Sequence, residues 1–170
     1  MAGLAPLLDA YLGVQQSLAK DDAKSAQKSF AELVTSVESF DPRSPDEARR
    51  VWSAVAKPLL AAARGGQHGA SIDELRRSFD SASVGLIEAL QRFGNPLEEP
   101  LRLAYCPMAF DDRGAQWLQH AEEIENPYFG AEMYRCGEIR AASAPGQRLS
   151  AETAESDEPA RAAPPDHSKH

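Results

Sequence analysis

Long apolar runs are missing from this chain of 170 residues. No stretch approaches the roughly 18 consecutive apolar residues of a membrane-crossing helix, so no membrane span is expected. A basic excess is missing too. Lys and Arg number 18 against 26 Asp and Glu, a formal net charge of −8. With no basic stripe to neutralise phosphates, nucleic-acid binding is not expected. The opening MAGLAPLLDAYLGVQQ lacks the basic start and continuous apolar core of a secretory signal. The expectation is a cytoplasmic protein, or a part cut from an exported one. G-x-S-x-G, H-E-x-x-H, C-x-x-C and phosphate-cradling glycine loops are all absent, so no catalytic residue is assigned and no enzyme activity is expected. The acidic pairs Glu98-Glu99, Asp111-Asp112 and Glu122-Glu123 read as solvated turns and helix faces. Cysteine is scarce: two residues form a disulfide, a metal pair or free thiols, and alone they settle no compartment.

What is there begins with helix periodicity. Leu4, Leu7, Leu8, Tyr11, Leu12 and Leu18 form a first stripe, broken at Lys20-Asp21-Asp22. Ala23, Ala26, Phe30, Leu33, Val34 and Val37 form a second, stopped by Asp41-Pro42. A capping box at Ser44-Pro45-Asp46-Glu47 opens a third, carried by Ala48, Val51, Trp52, Val55, Leu59 and Leu60. Pro58 predicts a kink or early end in it, and Gly65-Gly66 a stop. The fourth starts at a second capping box, Ser71 to Glu74, and runs to Gly94-Asn95-Pro96. Short connections favour an antiparallel four-helix up-down bundle. The fold class expected is mainly α: that bundle, a small Cys/Met-rich C-terminal subdomain, and a disordered tail. The boundaries are 1–142 for the domain, with the subdomain at about 100–140, and 143–170 for the tail, where Ala, Pro, Ser, Glu and Asp show no periodicity.

Met1 apart, every sulfur lies between Cys106 and Cys136. Leu101, Leu103 and Tyr105 alternate with other residues, predicting a short strand that ends at Cys106. Glu138-Ile139-Arg140 alternates again, and pairing it with that strand would bring the cysteines together. In an extended Cys106-Pro107-Met108 segment, Cys106 and Met108 share a side. Ala131 to Arg135 reads as a helical turn or two, which would place Met133 and Cys136 on one face. Ala115 to Ile124 reads as a short helix carrying Trp117 and His120 at i, i+3. Four soft donors so arranged form a candidate cage for Cu(I) or Ag(I), bordered by Trp117 and His120 as outer groups or an extra ligand. Zn(II) also accepts thiolates. Two other readings stay open: a Cys106–Cys136 disulfide stapling a non-catalytic interaction module, and buried thiols with Met108 and Met133 as core fillers. A thiol redox enzyme has little support, since the only cation adjacent to a cysteine is Arg135.

The string CPMAFDDRGAQWLQ, followed by NPYFG, AEM and CG, resembles a helical domain of unknown function found in bacteria with copper and silver efflux systems. That domain occurs as an exported protein and fused to periplasmic adaptor subunits of heavy-metal efflux pumps of the CusB type. YLGVQQSLAKDD also resembles its opening, so the likeness spans roughly residues 5 to 140. It implies copper or silver handling in the periplasm, with Cys106, Met108, Met133 and Cys136 as ligands. It further implies an efflux-pump adaptor or another metal-handling protein as partner.

Overall fold

A computed structural model describes residues 2–42 and 46–150. The four stripes form four helices: α1 (Ala5–Ala19), α2 (Ala23–Ser39), α3 (Asp46–Gln67) and α4 (Ile72–Phe93). They pack in chain order, and α1 also touches α4. Asp22 starts α2 by accepting from the Ser25 N–H at 3.0 Å. The box at Ser71 forms with one shift: Ser71 Oγ accepts from the Glu74 N–H, while the Glu74 carboxylate accepts from the Ala70 N–H. The box expected at Ser44-Pro45 lies outside the described residues.

Two helix-breaking signals prove to be something else. Helix α3 continues through Pro58, which faces solvent, where water can take up the carbonyl that loses its partner. It also passes the expected stop at Gly65-Gly66. A Cβ on Gly66 would stand 2.4 Å from the Phe30 ring, so this glycine serves close packing of α3 on α2.

After α4 come three antiparallel strands, β1 (Leu101–Cys106), β2 (Ala115–Gln119) and β3 (Glu138–Ser143), ordered β2-β1-β3. The expected pairing of β1 with the chain after Gly137 is present, with Tyr105 opposite Glu138 and Ala104 opposite Ile139. Leu103 then faces Ala141, leaving Arg140 as the extra residue of a bulge. Two expectations are corrected. The segment from Ala115 is a strand, and the Ala131 to Arg135 stretch holds only a single 3-10 turn, Gly130–Glu132. Strand β2 rests on α4 and α1. There Tyr11 bonds the Ser83 hydroxyl at 2.7 Å and accepts from the Leu118 N–H at 3.1 Å, joining α1, α4 and β2.

The folded chain also outruns the boundary expected at 142. Ser143 is buried at the end of β3, and Leu149 is buried against the end of α4, its N–H on Leu90 O at 3.3 Å. Residues 151–170, the rest of the expected tail, lie outside the described residues. The fold is mainly helical, with a small sheet carrying the sulfur-bearing loops.

Candidate metal centre

Cys106 is the last residue of β1, and Cys136 sits just before β3, so the β1–β3 pairing draws them together. Their Sγ atoms are 3.5 Å apart, both as thiols, Cys106 buried and Cys136 partly so. Gly137 makes the approach possible. Its φ is +130°, and a Cβ there would stand 2.7 Å from Tyr105 O. Burial first, then contact with the Cys106 thiol, pushes the Cys136 thiol above its usual range.

The loop carrying Cys136 is fixed by two buried amides. Gln119 Oε1 accepts from Trp117 Nε1 (2.9 Å) and the Glu125 N–H (3.1 Å). Its Nε2 donates to Ala121 O and Glu123 O. Asn126 does more: its Nδ2 donates to Cys136 O at 2.8 Å, its N–H to Tyr134 O, and its Oδ1 accepts from the Tyr128 and Phe129 N–H groups. Tyr128, whose hydroxyl donates to Gln116 O at 2.7 Å, meets Trp117 and Phe110 edge-on. Among the described residues no buried side-chain nitrogen or oxygen lacks a hydrogen-bond partner, which is what a buried loop requires.

A third anchor reaches across from the helices. Asp21, at φ 57°, accepts from Arg76 at 2.6 Å and from the Ala131 N–H at 2.9 Å. The Ala131 N–H and then the Arg76 guanidinium hold its carboxyl below the usual range. Gly130 lies so close that a Cβ would fall 2.0 Å from Asp21 Oδ1, and its φ is +59°. Gly130→Ala should therefore cost at least about 2 kcal/mol, combining left-handed strain with this clash. Thermal melting checks it; an unchanged midpoint would contradict the packing described.

The structure places the six residues singled out in the sequence as follows. The two cysteines meet. Met108 and Met133 both line a cleft of about 520 Å³ that neither cysteine lines. Trp117 is a core residue beneath Gly137, its ring 3.2 Å from where a Cβ would stand. His120 does not border the thiols. It follows Gln119, which pairs with Arg102, whereas Cys106 pairs with Ala115, so roughly 13 Å of strand intervenes. There the His120 ring meets Pro100 O at 3.1 Å. Among the described residues, no three His, Cys, Asp or Glu side chains gather as a metal site.

Asn126, Gln119 and Asp21 were not singled out by the sequence. NPYFG and LAKDD contain two of them, but motif spelling alone does not reveal partners that stand up to 110 residues away.

The chain belongs to a family of proteins of unknown function (DUF3347), whose family model matches residues 7–97, just over half of the chain. The match covers α1 to α4 and stops before β1, so the cysteine and methionine motifs lie outside it. No curated protein and no solved structure matches the chain.

Proposed function

We propose that this family member is a non-catalytic soft-metal module, binding Cu(I) or Ag(I) through the Cys106 and Cys136 thiolates. The observation that carries the reading is the 3.5 Å sulfur separation. Two sulfurs each about 2.3 Å from a tetrahedral Zn(II) stand roughly 3.8 Å apart, a linear two-thiolate ion sets them further apart still, and a disulfide needs about 2.05 Å. Only a small side-chain adjustment separates the thiol pair from a metal chelate. Thiolates are charged, soft donors that favour Cu(I) and Ag(I), and Zn(II) accepts them as well. The motif likeness supports work in the periplasm beside an efflux-pump adaptor or another metal-handling protein. In this reading the four helices form an antiparallel up-down scaffold, supported by their short connections and chain-order packing. The same thiol proximity supports a second reading, a Cys106–Cys136 disulfide stapling an interaction module.

Competition with a Cu(I) chelator, on reduced protein, tests the proposal. Replacing either cysteine by Ser should weaken retention by more than about 100-fold, because even outer-partner changes at metal sites cost 10–100-fold. Replacing Met108 or Met133 by Leu should cost far less, since both line a cleft that neither cysteine lines. Equal copper retention by wild type and the Cys106→Ser/Cys136→Ser variant would leave the cysteines a structural role only.

The pH dependence has a definite sign. The raised Cys136 pKa keeps its proton at neutral pH, so metal must displace it and retention should fall on acidification. For the metal-free protein the sign reverses. The fold favours the neutral thiol, a contribution present below the ordinary thiol range and lost as pH climbs through the raised value. Chelator titrations at pH 6 and 8 check the first; equal retention at both would contradict thiolate ligation.

A further inference from the structure

Among the described residues, three large apolar side chains stand exposed: Val84 at 65%, Met108 at 47% and Ile139 at 37%. Two of them border one face. Met108 lines the cleft of about 520 Å³ whose helical wall is the Asp73, Arg76 and Arg77 stretch of α4. Val84 follows Arg77 by seven residues, which sets it on the same side of α4 about 10 Å further along. Phe110, Phe129 and Met133, all partly buried, give the cleft an apolar and adaptable lining. Single exposed apolar residues are ordinary, but grouped ones with a polar rim mark interaction surfaces. The rim here is acidic. Asp73 stands on α4, and Asp111 and Asp112 on the turn between β1 and β2. Of the nearby bases, Arg76 is paired with Asp21 and Arg113 with Asp80, which leaves Arg77 against three carboxylates. The turn is also fixed in advance. Phe110, Asp111 and Asp112 have φ of 54°, 54° and 63°, a left-handed run that strains residues other than glycine. Arg113 ties it to α4 through Asp80 at 2.6 Å and lies over the Phe110 ring at 4.9 Å. Rim carboxylates held before anything binds reduce the ordering cost of docking.

We propose that this face docks a segment of a partner protein in which Lys or Arg stands beside bulky apolar side chains. The apolar groups enter among Met108, Phe110, Phe129 and Met133, and the cations meet Asp73, Asp111 and Asp112. The cleft volume lies within the range of about 300–1,000 Å³ usual for binding clefts. Neither cysteine takes part, so the face stands or falls apart from the metal reading. Selection of a display library of random heptapeptides on the full-length protein tests it. Enriched peptides should carry Lys or Arg next to Leu, Phe or Trp. Their synthetic forms should shift the Met108 and Met133 signals of protein labelled with ¹³C at the methionine methyls. Asp111→Asn/Asp112→Asn removes two charges while keeping residues that tolerate left-handed backbone, and should weaken these peptides about 10-fold. Met108→Ala should weaken them by a similar factor of about 10, and added salt should weaken them as well. Asp73→Asn, on the exposed helix surface, replaces the turn variant should that one lose its fold. Enrichment of acidic or uncharged peptides, affinities that ignore these substitutions, or no enrichment at all overturns the proposal. Concentration-dependent dimers that Met108→Ala breaks would give the face to a second copy of the chain and overturn it equally.

Discussion

A chain cut after Ala142 should melt about 10 °C below one ending at Ser150. The cut removes Ser143, which pairs with Leu101 and whose hydroxyl donates to Gln147 O at 2.7 Å. It also strips Asn95, a buried residue, of most of its partners. The Asn95 N–H donates to Gln147 O and its carbonyl accepts from the Gly146 N–H, both at 2.8 Å, while Nδ2 donates to Ser143 O at 2.9 Å. Leu149, only 2% exposed, is lost from the end of α4. Burying one leucine contributes about 2 kcal/mol, and each stranded buried polar group costs about 1–3 kcal/mol. A total near 4 kcal/mol, at about 2–4 °C per kcal/mol in a domain of this size, gives the expected shift. Calorimetric scans of the two chains decide it. Equal midpoints would mean that residues 143–149 contribute nothing to the fold.

Asn126→Ala should cost about 3 kcal/mol of stability and weaken Cu(I) retention at least about 10-fold, with both cysteines untouched. The side chain holds Cys136 O on one side and the Tyr128 and Phe129 N–H groups on the other. Truncation leaves these three backbone groups without their partner in a buried loop. The second cysteine then loses its fixed distance from the first. Loosening a donor's support is known to cost 10–100-fold in metal affinity. Asn126→Asp separates the two roles, since its carboxylate keeps the acceptors for the Tyr128 and Phe129 N–H groups but loses the donor to Cys136. Urea melts and chelator competition on both variants provide the check. Native stability with unimpaired retention in Asn126→Ala would show that the loop does not position Cys136.

The helices were legible because amphipathic periodicity survives wherever one face meets a core, as along Leu75, Phe79, Leu86 and Leu90 of α4. The β1–β3 pairing was legible from two alternating segments, and with it the approach of Cys106 to Cys136. Strand β2 was not. Ala115, Trp117, Leu118 and Gln119 are all buried, so alternation is lost, and the apolar spacing from Ala115 to Ile124 fits a helix equally well. Composition alone marks the chain after Ala142 as a tail, whereas its order comes from Asn95, some 50 residues earlier. Gly66 and Pro58 carried helix-stopping signals that close packing and solvent exposure override. At the site, the approach of the two cysteines was legible but the helical face expected to carry Met133 and Cys136 was not. A single 3-10 turn, Gly130–Glu132, stands where that helix was expected.

Copper K-edge X-ray absorption of the reduced protein, loaded with one equivalent of Cu(I), probes the thiol pair most directly. The account predicts a shell of two sulfur neighbours, lost in the Cys106→Ser/Cys136→Ser variant. A shell of nitrogen and oxygen alone, or the same sulfur shell in wild type and variant, would contradict it.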